Sequence, residues 1–339
     1  MNRAIAVIGG GSWGTVLAFL LSTGGNDVVW WMRREENAEY VRKYRHNPFY
    51  HPQCSLPDNV HSTSRFEEIK ECPFWFWVVP SAWLEEVAKK FYEAQPKVVI
   101  SCVKGLVFSA FSDSAGTTGL EVLPANPTKK LKEYFPGSEV GVLSGPTISQ
   151  EIVEGQPSAG VVALENEEIA RQVQMWFPQE RLRLYRSTDV VGVEICGAFK
   201  NVVAIAAGIA RGLRFGSNPL GALLTRGLVE MQRVVTFLGG NAQTVYGLAG
   251  LGDLVATCFS PYSRNVKYGE ALARGVPPEL GGQVAEGIPS SRAFYFLAQR
   301  FHLDLPITTE VYAILYHNKP IPQAIASLLQ RPLKAECSR

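Results

Sequence analysis

The chain has 339 residues, 46% hydrophobic and 19% charged, with a formal net charge of +2. This composition excludes a disordered chain, and the balanced charge excludes a global field for nucleic acid. The length calls for about two domains.

In chain order, the apolar run 3–8 predicts a strand, the glycines after it a turn, and 14–21 a helix. A second strand is expected over 27–32, and a loop over 47–59, which holds Pro48, Pro52 and Pro57. Pro73 precedes another apolar run, 74–79. An amphipathic helix over 82–94 and a buried strand over 98–103 follow. Strands alternating with helices predict crossover units and a mostly parallel sheet covered on both faces. The Ser-, Thr- and Gly-rich stretch 108–127 reads as an inserted surface loop, and strand signals resume at 140–143, 160–164 and 182–185. After about Asp189 helical patterns dominate: 193–210, 220–238, 264–273, 290–300 and 310–316. An α/β domain over 1–189 and an all-α domain over 190–339 are therefore expected, with cofactor and substrate between them.

No uncharged apolar run reaches the roughly 18 to 20 residues of a membrane span. The closest, 193–210, contains Glu194 and Lys200. The N-terminus lacks a secretory pattern. Cys54, Cys72, Cys102, Cys196, Cys258 and Cys337 are scattered without a C-x-x-C pair, so reduced thiols, no metal site and a cytoplasmic location are expected.

Gly9-Gly10-Gly11-Ser12-Trp13-Gly14 fits G-x-G-x-x-G between a predicted strand and a predicted helix. Glycines there allow a tight turn and close approach of a pyrophosphate to free N–H groups at a helix start. About 20 residues on, where an acidic side chain would read the ribose of NAD, stand Arg33 and Arg34. An arginine there can pair with a 2′-phosphate, which favours NADP(H); Glu35 and Glu36 follow directly and soften the selectivity. Two solvated arginines at a strand end are the plainer alternative.

Lys200 stands in an almost uncharged stretch, Cys196 to Gly208. Burial would lower its pKa toward a value useful for proton transfer. The alternative is a lysine reaching to solvent from a core helix. The turn Gly247-Leu248-Ala249-Gly250-Leu251-Gly252 could deliver Asp253 against Lys200, although Asp253 alone reads as a helix N-cap. Ser260-Pro261-Tyr262-Ser263-Arg264-Asn265 suits either anion binding or simple capping.

Together these segments resemble the bacterial-type NAD(P)-dependent glycerol-3-phosphate dehydrogenase family. The matching motifs run in the family's order: G-G-G-S-W-G-T from Gly9, His46-Asn47-Pro48, Val103-Lys104-Gly105-Leu106 and Leu143-Ser144-Gly145-Pro146-Thr147. They continue with Ala198-Phe199-Lys200-Asn201-Val202, Gly247 to Asp253, Ser263-Arg264-Asn265 and Val284-Ala285-Glu286-Gly287. The resemblance implies a Rossmann-type domain followed by a helical domain, and a homodimer. It also implies reversible reduction of dihydroxyacetone phosphate to sn-glycerol 3-phosphate, feeding phospholipid synthesis. It implies Lys200 as proton donor and acceptor, with Asp253 orienting it and Lys104 beside nicotinamide and substrate. Gly145 and Thr147 would touch substrate, and Ser263, Arg264 and Asn265 its phosphate. Gly9, Gly11, Ser12, Trp13, Gly14, Arg33, Arg34, Tyr50, Lys104, Ser149, Arg264, Val284 and Glu286 would contact NADP(H) or NAD(H). The sequence departs from the family in a long interval between Lys104 and Gly145, and in Cys196 where a glycine is expected.

Two alternatives compete. One is another two-domain dehydrogenase, such as a ketopantoate reductase, against which Arg264-Asn265 and Ser144-Gly145-Pro146-Thr147 weigh. The other is a non-catalytic dinucleotide sensor, against which Lys104, Lys200 and Asp253 weigh.

Overall fold

The computed structural model describes residues 4–108, 124–279, 284–333 and 335–336. Most of the stretch expected as an inserted loop, 109–123, and Cys337 lie outside them. The strands are β1 (Ala4–Ile8), β2 (Asp27–Trp31), β3 (Val60–Thr63), β4 (Phe74–Trp77), β5 (Val98–Ser101), β6 (Val107–Phe108), β7 (Pro124–Ala125), β8 (Glu139–Ser144), β9 (Ser158–Ala163) and β10 (Leu182–Ser187). β6 and β7 form a small antiparallel ribbon. The other eight form one sheet, in the order β10-β9-β8-β5-β4-β1-β2-β3. Its neighbours are parallel except for β8 and β9. The six strands from β3 to β8 follow the 3-2-1-4-5-6 order of dinucleotide-binding sheets.

Helices cover both faces, and side-chain alternation decides which face each residue feeds. In β4, Trp75 and Trp77 enter one core with Phe91 and Phe135, while Phe76 enters the other with Trp30 and Trp176. Trp75 meets Phe91 and Phe135 edge-on at 5.7 and 5.4 Å, an arrangement that suits the ring quadrupoles. On the Trp30 side, α1 (Ser12–Thr23) buries Val16, Leu17, Leu20 and Leu21.

Several elements carried no clear sequence signal. α2 (Glu35–Tyr44) buries only Ala38 and Val41, and β3 is a four-residue edge strand. α3 (Leu84–Lys90), shorter than the 82–94 pattern, follows a helical turn at Ser81–Trp83. α4 (Pro127–Tyr134), α5 (Ser149–Val153) and α6 (Glu167–Gln174) complete this half.

The second half opens with α7 (Val190–Gly212), followed by α8 (Ser217–Phe237), α9 (Asp253–Phe259), α10 (Arg264–Arg274), α11 (Gly287–Phe301), α12 (Pro306–His317) and α13 (Ile321–Leu329). α7 is long and apolar enough to cross a membrane, but 83% of its most apolar window is buried inside the protein, as in a central core helix. α10 crosses it closely because two glycines face each other. A Cβ on Gly208 would lie 2.2 Å from the Val266 carbonyl, and one on Gly269 would lie 2.2 Å from the Ile205 carbonyl. This contact sets Arg264 and Asn265 beside the Lys200 segment. The five cysteines among the described residues are all free and buried.

Candidate active site

β1 leaves the sheet where the strand order reverses, with β2 on one side and β4 on the other. This is where doubly wound sheets bind ligands, beyond the carboxyl ends of their strands. Gly9 turns the chain there with φ +130°, a conformation L side chains rarely adopt, and a Cβ on Gly14 would lie 2.0 Å from the Gly9 carbonyl. Gly11 differs: a Cβ there would meet no protein atom within 4 Å, so packing does not require glycine. Its bareness suits close approach by a bound group.

The turn is held from three sides. The Trp30 indole N–H donates to the Gly9 carbonyl at 2.9 Å. The fully buried Asn47 donates to the Gly10 carbonyl at 3.1 Å and to Thr15 Oγ1 at 2.9 Å. Ser12 Oγ lies 2.7 Å from His51 Nε2, and His51 Nδ1 lies 3.1 Å from Gln150 Oε1. No side chain caps the start of α1, so its first N–H groups and partial positive charge face outward. Trp13 packs, half-buried, against the core beneath. A glycine turn with one open position and an uncapped helix start fits a dinucleotide pyrophosphate. Asn47 lies in a recognised motif, yet nothing in its local sequence showed that it fastens the turn.

Arg33 and Arg34 follow β2. The Arg33 guanidinium lies 5.6 Å from the centre of the Trp83 ring, while Arg34 is exposed and pairs with Glu36 at 3.5 Å. Tyr50, in the loop closing over the glycine turn, donates its backbone N–H to Asn47 Oδ1 at 3.3 Å. Tyr50 and Glu286 both interact electrostatically with Arg264, which brings three expected cofactor contacts together. Burial presses the Arg264 pKa downward, against the pull of Glu286 and Tyr50. Glu286 accepts from Ser81 Oγ at 2.7 Å and from Ser81 N–H at 3.3 Å; burial raises its pKa and these bonds oppose the rise. Ser149 opens α5 beside Gln150. Val284 is 40% exposed, outside this cluster's hydrogen bonds.

The side chains expected to do acid–base work, Lys104 and Lys200, meet at the Asp253 carboxylate. Lys104, just beyond β5, donates from Nζ to Asp253 Oδ2 at 2.9 Å, to the Gly145 carbonyl at 2.9 Å and to Thr147 Oγ1 at 3.3 Å. Lys200, midway along α7, donates to Asp253 Oδ1 at 2.6 Å and to Thr257 Oγ1 at 2.6 Å. The Asp253 and Lys200 side chains are only 1% and 7% exposed, whereas Lys104 is 23% exposed. Burial drives the Lys200 pKa down to about 8, opposed by Asp253 and assisted by Lys104. Burial would raise the Asp253 pKa, but the two ammonium groups outweigh it and hold it low.

The helical turn Leu248–Gly252 delivers Asp253 as the first residue of α9. The N-cap reading of Asp253 is therefore corrected: Gly252 takes that position, and the carboxylate is spent on the lysines. Lys200 does not snorkel to solvent. Thr257, one turn after Asp253 on α9, was missed by sequence reasoning although its i+4 spacing was visible. Asn201 joins the halves by donating to the Lys104 carbonyl at 2.8 Å. Asn265 donates to Asn201 Oδ1 at 2.8 Å and accepts from Gly287 N–H at 2.9 Å. Ser263 caps α10, accepting from Val266 N–H.

A doubly wound sheet with an open glycine turn at its switch point, facing a helix-borne lysine and carboxylate, is the build of a two-domain NAD(P)-dependent dehydrogenase. Family models place it more narrowly. Residues 4–170 match the N-terminus, and residues 189–326 the C-terminus, of NAD-dependent glycerol-3-phosphate dehydrogenase. The chain belongs to that family. The glycerol-3-phosphate dehydrogenase [NAD(P)+] 1 of Salinibacter ruber is 40% identical, covering 98% of this chain and 97% of its own. The Corynebacterium glutamicum enzyme is 39% identical over 98% and 99%. The crystal structure of the Coxiella burnetii glycerol-3-phosphate dehydrogenase is 31% identical, with a TM-score of 0.88 over 97% of this chain and 99% of that one. A ketopantoate reductase from Ralstonia eutropha is 12% identical with a TM-score of 0.58, a likeness of fold alone.

Proposed function

We propose that this chain interconverts sn-glycerol 3-phosphate and dihydroxyacetone phosphate with NAD(P)(H), and that Lys200 moves the proton. The observation that carries this reading is the buried Lys200 Nζ, 2.6 Å from Asp253 and linked through it to Lys104 beyond the carboxyl ends of the strands. The dinucleotide, when bound, supplies or accepts the hydride at the substrate carbon.

In the reducing direction the ketone oxygen gains negative charge as its carbon is reduced. The Lys200 ammonium stabilises that charge and gives the oxygen its proton. In the oxidising direction neutral Lys200 takes the hydroxyl proton. Asp253 fixes the ammonium's direction, and Thr257 holds a second of its protons. Lys104, anchored by Gly145 and Thr147, places a second positive charge next to the first. Ser263, Arg264 and Asn265 hold the substrate phosphate. The Ser263 hydroxyl already accepts from Val266, so its own proton remains free for a phosphate oxygen. Binding energy at that remote phosphate positions the carbonyl.

The glycine turn, Ser12, Trp13, Arg33, Arg34, Tyr50, Ser149, Val284 and Glu286 contact the dinucleotide. Division into two domains near residue 190, a homodimer, a cytoplasmic location and supply of glycerol 3-phosphate for phospholipid synthesis complete the reading. Initial rates with dihydroxyacetone phosphate and each of NADPH and NADH test it. Substrate-dependent oxidation of at least one is expected, and no turnover with either removes the activity.

A further inference from the structure

Trp83 is a large aromatic left 46% exposed, with no part in the chemistry above. It follows β4, whereas Arg33 follows β2, and the exit of β1 with its glycine turn lies between them. The two side chains span that gap, the guanidinium lying 5.6 Å from the indole centre. The turn carrying Trp83 is fixed in place. Trp83 N–H donates to the Pro80 carbonyl, and Ser81 donates to Glu286 through both its hydroxyl and its amide. Among the described residues, Arg33 has no hydrogen-bond or ion-pair partner, and its contact is the Trp83 ring. Its neighbour Arg34 is drawn aside to Glu36, and Arg42 is drawn to Glu35.

We propose that Trp83 is a specificity-determining positioning residue, whose ring holds the Arg33 guanidinium ready for an adenosine 2′-phosphate. This rests on the reading of the Arg33 region as the ribose end of the dinucleotide site. A guanidinium over an aromatic face keeps its in-plane N–H donors free, so the stack orients the fork without using it up. A flexible arginine without that support would lose more side-chain entropy on engaging the phosphate. The neighbouring Glu35 and Glu36 are engaged by Arg42 and Arg34, which leaves the 2′-phosphate less acidic charge to oppose it.

Calorimetric titration of the cofactor-free protein with 2′,5′-ADP and with 5′-AMP tests this without turnover. Wild type is expected to bind 2′,5′-ADP more tightly. Trp83→Ala should weaken 2′,5′-ADP about three- to fivefold beyond any loss for 5′-AMP, from the size of an exposed cation–π contact. Trp83→Phe should recover much of the difference. An equal loss for both ligands assigns Trp83 to base stacking alone and overturns the proposal, as does no loss for either. If wild type itself does not separate the two ligands, the 2′-phosphate reading fails and takes the proposal with it.

Discussion

On the proposed mechanism, replacing Lys200 by alanine removes both the proton and the charge at the reacting oxygen. kcat should fall by about 10²- to 10⁴-fold, the usual reach of general acid–base catalysis, while dinucleotide affinity measured by fluorescence titration stays near wild type. A normal rate in that variant removes the proton-transfer role. The pH profile carries a sign as well. With a Lys200 pKa near 8, oxidation of glycerol 3-phosphate needs the neutral amine and should rise through that pH. Reduction of the ketone needs the ammonium and should fall there, so profiles of kcat/KM in the two directions should cross. At the cofactor end, Arg34→Ala should lower the ratio of kcat/KM for NADPH over NADH. An unchanged ratio rejects the phosphate-reading role of Arg34. At this scale the sequence was partly legible. The lone charge in the stretch Cys196 to Gly208 marked Lys200, and the glycine pattern marked the turn. The partners were not legible, because Asp253 lies 53 residues beyond Lys200 and 149 beyond Lys104, and only the fold closes those intervals.

Elements with a continuous apolar pattern were readable in order: β1, β2, β4, β5 and the long helix α7. Those with little to bury were not. α2 has polar residues at most positions, and β3 presents Val-His-Ser-Thr at a sheet edge, where apolar periodicity is too brief to register. The α7–α10 crossing was also hidden, since Gly208 and Gly269 read as ordinary helix glycines until their neighbours are known. Their contact is testable. Gly208→Val would push the Val266 carbonyl, and α10 with it, away from α7 at a packed crossing, costing about 1–3 kcal/mol in denaturant unfolding. The same displacement carries Arg264 and Asn265 with it, so KM for the phosphorylated substrate should rise in the folded variant. A variant with wild-type stability and KM would show that the crossing has room to yield.

Two buried carboxylates tie distant parts of the molecule together. Glu194 on α7 accepts from Thr128 N–H at 2.8 Å and Thr128 Oγ1 at 2.6 Å, joining the helical half to α4. Glu230 on α8 accepts from the first turn of α12 through Ile307 and Thr308. Burial pushes both up to about 7 despite these bonds. Between the ordinary value of 4.5 and that level the folded chain therefore holds more protons than the unfolded one. Stability should fall as pH rises through this window and level off above it, by on the order of 3 kcal/mol per group. Glu194→Gln should flatten part of that slope in unfolding measurements from pH 5 to pH 8; an unchanged slope would place the titration elsewhere. Neither glutamate could be singled out from sequence, since each looks like one more charge on a helix. The ionic set at the centre has a different consequence. Lys104 is borne by the stretch that ends with the sheet, while Lys200 and Asp253 belong to the helices after it. A chimera that exchanged one half for a distant relative's would have to match a charged triplet across its own seam. A change to any one of the three charges in one half would thus leave an unbalanced buried charge for the other half to answer.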